Sequence, residues 1–140
     1  MIYSIEGTLV EKGPAFAVVD TGGISYLVSV PLSTSETLPE VGCRVKLYTH
    51  LVVTEDGQHL FGFATMQEKR MFEVLITVPG IGPKVSLRVL SGLSAAELQR
   101  AVILQDVSAL TKVPGIGKKL AERLVVELKE QMQKEPVAGE

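Results

Sequence analysis

The sequence predicts an α+β protein in which all the strands precede all the helices. Three observations carry this: alternating apolar runs that end at Phe63, a change to helical spacing from Thr65 onward, and a glycine-rich segment that occurs twice in the helical half. A chain of 140 residues with 46% apolar content can form one modest domain or two small ones. The change of period argues for two.

Strands are expected at Ser4 to Glu11, Ala15 to Asp20, Ile24 to Val30, Val45 to Val53 and His59 to Phe63, which are short and rich in β-branched and aromatic residues. Gly13-Pro14, Asp20-Thr21-Gly22-Gly23 and Glu55-Asp56-Gly57 supply turn chemistry between them, and Ser33 to Leu38 fits a helical turn before the fourth strand. Residues 1–63 therefore fit an OB-like β-barrel. Tyr3, Phe16, Tyr26, Tyr48, Phe61 and Phe63 lie in apolar runs and are expected in its core, which argues against a base-stacking groove. The surplus of Val, Leu and Phe in so small a unit favours an oligomeric interface.

Residues 64–134 read as all helix. Thr65-Met66-Gln67-Glu68 and Ser94-Ala95-Ala96-Glu97 are capping boxes, each followed by apolar residues at helical spacing, and Asp106 is expected to cap a further helix. Residues 135–140 read as the start of a flexible linker.

The net charge of -2 conceals an asymmetry. Residues 1–63 hold Lys12, Arg44 and Lys46 against seven acids, giving -4; residues 64–134 hold eleven basic residues against seven acids, giving +4. Residues 135–140 add -2 and restore the total. Attraction for phosphates is thus expected from the second half. Cys43 stands alone, and His50 and His59 lack the clustered spacing of metal ligands, so neither a disulfide nor a metal is implied. No run approaches the roughly 18 apolar residues of a membrane helix, and Met1 to Glu6 lacks signal-peptide character, so a soluble cytoplasmic protein is expected.

The most informative feature is a repeat. Val78-Pro79-Gly80-Ile81-Gly82-Pro83-Lys84 recurs thirty-five residues later as Val113-Pro114-Gly115-Ile116-Gly117-Lys118-Lys119, and seven of thirteen positions are identical through Leu90 and Val125, including Arg88 with Arg123. Two glycines per segment are expected to take positive φ and let consecutive amides converge where a helix begins. Those amides and the helix dipole form an anion site, and Lys119 with Arg123, spaced i and i+4, place two cations on one face beside it. The expected phosphate-binding residues are Gly80, Gly82, Lys84, Gly115, Gly117, Lys118, Lys119 and Arg123. Such a site touches the DNA backbone and not base edges, so binding should be insensitive to sequence and steeply sensitive to salt. The spacing resembles that of the helix-hairpin-helix family, which binds DNA backbones. A competing reading is a tight turn between packed helices with Ile81 and Ile116 filling core, and the two readings are compatible.

Taken with the barrel, the runs Leu47-Tyr48-Thr49-His50-Leu51-Val52-Val53, Glu55-Asp56-Gly57 and Leu60-Phe61-Gly62-Phe63 and both glycine segments resemble the RuvA family, the Holliday-junction recognition subunits of bacterial branch migration. The resemblance runs from Met1 to about Lys134. It implies a bacterial cytoplasmic protein without catalytic residues or cofactor, acting in recombination and DNA repair. It also implies that the barrel assembles a homotetramer around an open four-way junction, with an octamer as the alternative on DNA. The RuvB ATPase is the implied motor and the RuvC resolvase a further partner. Glu55 and Asp56 become an acidic pin that repels phosphates near the crossover, where the residues alone favour a plain hairpin turn. Thr54 stands where relatives often place an arginine. The family continues into a third, motor-binding domain, so the ending of this chain implies a truncated form with motor coupling lost.

Other chemistry is less well supported. A glycosylase would need a catalytic aspartate after one hairpin, and Asp106 reads more simply as a helix cap. Gly80 and Gly82 are too close for a nucleotide-binding loop, and no Ser or Thr follows Lys84. A helical scaffold that contacts protein is the non-catalytic rival.

Overall fold

The computed structural model describes residues 1–134, and the expected linker start at 135–140 lies outside the described residues. The elements run β1 (Ser4–Lys12), β2 (Phe16–Asp20), β3 (Ser25–Ser29), α1 (Leu32–Ser35), β4 (Arg44–Thr54), β5 (Gly57–Phe63), α2 (Met66–Leu75), α3 (Pro83–Gly92), α4 (Ala95–Ile103), α5 (Val107–Thr111) and α6 (Lys118–Lys134). The chain divides into two compact units, the first Met1–Lys69 and the second beginning at Arg70.

In the first unit the five strands close into a barrel in the order β1-β2-β3-β5-β4. All neighbours are antiparallel except β3 and β5, which meet in parallel at Ser29 and Phe61. Alternate side chains point inward, as a pleated strand requires. Ile5 and Leu9 of β1, Ala17 and Val19 of β2, Val28 of β3 and Leu47 of β4 form the core with Val30 and Leu60. The end of β5 breaks the alternation, since Leu60, Phe61, Gly62 and Phe63 are all buried. Gly62 is needed there because a Cβ would stand 2.5 Å from Cγ1 of Val28.

The aromatic residues divide. Phe61 and Phe63 are core, Phe16, Tyr26 and Tyr48 are half-buried, and Tyr3 departs from expectation by remaining 60% exposed. Tyr3 precedes β1, and its ring supports the buried Lys69, whose ammonium lies 3.6 Å from the ring centroid and 3.4 Å from the Tyr3 carbonyl. The negative face of the ring attracts the cation placed over it.

Lys69 is part of the reason the first unit extends past residue 63, the boundary expected from the change of period. Thr65 caps α2 by accepting from the Glu68 amide at 3.1 Å. The Glu68 carboxylate accepts from the hydroxyls of Ser33 at 2.6 Å, Thr34 at 3.3 Å and Thr65 at 3.3 Å, where a capping box would bring it to the Thr65 backbone amide. Thr34, fully buried, also accepts from the Ala64 amide at 3.0 Å. The first turn of α2 is thus tied to α1 and to the chain before β1.

In the second unit the buried residues recur at helical spacing: Met71, Phe72 and Leu75 in α2, Val89 and Leu90 in α3, Leu98, Ala101 and Val102 in α4, and Ala121, Leu124, Val125 and Leu128 in α6. At α4 the capping box is complete, with Glu97 donating its amide to Ser94 Oγ at 3.0 Å and its carboxylate accepting from the Ser94 amide at 2.9 Å. That backbone donor holds the Glu97 carboxyl below its ordinary value. Its contribution to stability is therefore present above the unfolded-state pKa and lost as pH falls through the folded one. Asp106 caps α5 through the Ala109 amide at 3.1 Å, so its carboxylate serves the helix start.

Between these two caps the chain closes α4 with a Schellman motif, in which the Asp106 amide donates to Ala101 at 2.8 Å and the Gln105 amide to Val102 at 3.1 Å. Gln105 sits at φ 55, a left-handed position that glycine occupies without penalty. Gln105→Gly is expected to stabilise the protein by roughly 1 kcal/mol, read as a rise in the urea midpoint at unchanged slope. An unchanged or lower midpoint would count against strain at this cap.

Candidate nucleic-acid interface

The two repeated segments adopt the same structure. Each follows a helix, α2 or α5, turns tightly, and enters the next, α3 or α6. The Ile81 amide donates to the Val78 carbonyl at 3.0 Å and the Ile116 amide to Val113 at 3.1 Å, closing four-residue turns. Proline second and left-handed glycine third is the residue order of a type II turn. Gly80 lies at φ 88 and Gly115 at φ 90. Val78, Ile81, Val113 and Ile116 are buried, so apolar side chains anchor both ends of each turn while the glycines stay at the surface.

The second glycine of each segment does not take positive φ, contrary to the sequence expectation. Gly82 is extended, at φ -96 and ψ -179, and is the N-cap of α3. Its carbonyl accepts from the Ser86 amide at 3.0 Å, and the Gly117 carbonyl accepts from Ala121 at 2.9 Å. One left-handed residue suffices to reverse the chain, so the second is free to begin the helix. A Cβ at Gly82 or Gly117 would meet nothing within 4 Å. Glycine at these two positions leaves the approach to the first free amides of α3 and α6 open.

Lys84, Lys118, Lys119 and Arg123 are all exposed. The two sites are unequal: Pro83 occupies the first helical position of α3, where Lys118 begins α6. Proline lacks an amide hydrogen, so the first hairpin has one donor and one cation fewer than the second. Arg123 does not simply extend the face that begins at Lys119. Its Nη1 donates to the Pro79 carbonyl at 3.2 Å, reaching the first hairpin. The matching Arg88, on α3, lies against Gly115 of the second hairpin, where a Cβ would strike its Nη1. Sequence reading did not place Arg88 in a site, although its identity with Arg123 in the repeat was the available signal.

Glu55 and Asp56 form the two-residue tip between β4 and β5, where Thr54 pairs with Gly57. Both carboxylates are exposed. The positive φ of this turn is at Gly57, 142°, and not within the acidic pair. Thr54 Oγ1 donates to the Gly57 carbonyl at 3.3 Å, so it closes the hairpin. Among the described residues no group of three or more His, Cys, Asp or Glu could hold a metal ion, and no helix is long and apolar enough to cross a membrane.

A closed five-stranded barrel followed by paired helix-hairpin-helix turns defines a class of protein that carries two matched hairpins on one helical unit. Comparisons with known proteins give the family. Residues 1–62 match the RuvA N terminal domain and residues 72–130 match the SAM-like helix-hairpin-helix tandem. The chain is 56% identical over 129 residues to the Holliday junction branch migration complex subunit RuvA of Albidiferax ferrireducens, and 54% identical over 129 residues to that of Bordetella pertussis. Each match covers 92% of this chain and 68% of the relative. The subunit of Halorhodospira halophila is 53% identical over 132 residues, covering 94% of this chain and 65% of the relative. This chain belongs to the RuvA family.

The two glycines of each hairpin should respond differently to alanine. Gly80→Ala and Gly115→Ala are expected to lose roughly 1–2 kcal/mol of stability because both hold positive φ, while Gly82→Ala and Gly117→Ala stay within about 0.5 kcal/mol of the parent. Denaturant unfolding of the four variants checks this, and equal losses at all four would contradict the assignment of roles.

Proposed function

We propose that this chain recognises four-way DNA junctions by gripping sugar-phosphate backbones, without reading base sequence. The observation that carries this is the matched pair of hairpins, each with a left-handed first glycine and an unobstructed second glycine at a helix start. Lys84, Lys118, Lys119 and Arg123 supply cations around those amides, and the excess of basic residues in the helical half supplies longer-range attraction. The chain itself is a recognition subunit with no catalytic residues. The relatives' name supports a place in a branch migration complex. In this reading the RuvB ATPase is the motor and the RuvC resolvase a further partner.

The barrel is the assembly unit in this reading, forming a tetramer around the junction, with two tetramers enclosing it as the alternative. Ile24 and Leu27, 61% and 67% exposed, are consistent with a surface covered by another copy. Glu55 and Asp56 are the acidic pin. Carboxylates at an exposed tip repel phosphates through solvent, an effect that salt screens.

Binding of the chain to a labelled four-way junction and to a linear duplex of the same sequence, across salt, tests the main claim. Tighter junction binding that weakens with salt is expected, and Lys118→Ala with Lys119→Ala should flatten the log-log salt slope by about 0.9 for each phosphate no longer neutralised. Equal affinity for both DNAs would remove the junction claim; no binding to either would favour a protein scaffold. For the pin, Glu55→Gln with Asp56→Asn should raise affinity for linear duplex severalfold at low salt and leave it unchanged at high salt. If duplex affinity does not move, the tip is a turn and nothing more.

A further inference from the structure

Arg88 and Arg123 occupy the same place in the repeat, eight residues after the first glycine of their own hairpin. A local reading would have each serve the hairpin that precedes it. The structure has them exchanged. Arg123, from the helix after the second hairpin, donates to the Pro79 carbonyl of the first at 3.2 Å, and its Nη1 would lie 3.3 Å from a Cβ on Gly80. Arg88, from the helix after the first hairpin, lies along Gly115 of the second, where a Cβ would collide with Nη1 and stand 3.2 Å from Cδ and 3.3 Å from Cζ.

We propose that Arg88 and Arg123 are crossed positioning residues, each holding the opposite hairpin, so that the two turns act as one backbone grip of fixed spacing. The proposal rests on the reading that the hairpins bind DNA backbones. Its first support is stereochemical. In a type II turn the carbonyl between proline and glycine takes no part in the turn's own hydrogen bond and is open to a partner from elsewhere. Arg123 supplies one to Pro79, fixing the peptide immediately before the left-handed glycine. Arg88 lies in the space that a side chain at 115 would occupy, so the glycine that the φ of 90° favours also leaves room for this contact.

The second support is electrostatic. Both arginines are exposed. A guanidinium has five donors in a rigid plane, and one bond to Pro79 leaves most of them free. Each arginine therefore brings a cation to the far hairpin as well as a brace. The exchange also offsets the asymmetry between the sites, since the donor-poor first hairpin receives Arg123, the arginine with a direct hydrogen bond to it. Spacing fixed before binding reduces the ordering cost when two phosphates are engaged together.

The test uses the chain of residues 1–140 in two arms. The first needs no DNA: amide hydrogen exchange at Ile81 and Ile116, whose N–H groups close the two turns. Arg88→Ala should accelerate exchange at Ile116 and leave Ile81 unchanged, and Arg123→Ala should do the reverse. A merely structural loss would accelerate both together. Acceleration at the arginine's own hairpin, at both equally, or at neither overturns the crossing. The second arm measures junction affinity in double-mutant cycles with Lys84→Ala and Lys119→Ala. Each arginine variant should weaken binding about fivefold to tenfold. Arg88→Ala should combine with Lys119→Ala to less than the product of the two effects, and with Lys84→Ala to their full product; Arg123→Ala should show the opposite pattern. Full products in every pairing overturn the shared grip. Crossed exchange in a chain that binds neither junction nor duplex would leave the brace standing and reject the DNA-binding reading itself.

Discussion

The second unit is organised around a backbone conformation that almost every side chain disfavours. A chain leaving α2 or α5 reverses in four residues to start the next helix, and the reversal needs one residue near φ 90° with no Cβ. Gly80 and Gly115 meet that need. Once the turn is made, Ile81 and Ile116 fall into the core and Gly82 and Gly117 begin helices with their faces open. The open helix start is therefore a by-product of a well-anchored turn. This is why packing and the proposed phosphate binding, which compete as readings of the sequence, can be met by the same seven residues.

The duplicated turn also explains the division of labour among the cations. Lys84, Lys118 and Lys119 lie in the first turns of their helices, where a lysine reaches outward on a flexible stem. The arginines lie further along, where a longer planar group reaches a neighbouring element. An exposed guanidinium can brace a carbonyl and still present donors to solvent, which an ammonium does less well. The first unit follows a different logic. Its barrel closes through strand pairing, and its acidic residues Glu55 and Asp56 are carried to the end of the long β4–β5 hairpin by seven paired positions.

Much of this was legible because it is local. Short runs rich in β-branched and aromatic residues between turn signals marked all five strands to within a few residues, the Ser94 and Asp106 caps were readable from residue type, and the thirty-five-residue repeat exposed both hairpins. Errors arose where a residue's partner is distant or its conformation is atypical. Glu68 satisfies the capping-box pattern yet directs its carboxylate to Ser33 and Thr34, more than thirty positions away. Gln105 adopts a left-handed conformation that no glycine or asparagine announced. Tyr3 looked like core by its apolar neighbours and serves as a platform for Lys69.

The sequence by itself determined the α+β order, the two hairpins and the residues that make them conformationally possible. Those features depend on φ preferences, side-chain periodicity and capping within a few residues, and no distant contact has to be known. Only the tertiary structure decided which glycine carries the left-handed turn and which leaves the helix start open. It also decided that Arg88 and Arg123 exchange hairpins, because the repeat sets their positions along the helices and only the packing of α3 and α6 sets which turn each guanidinium can reach.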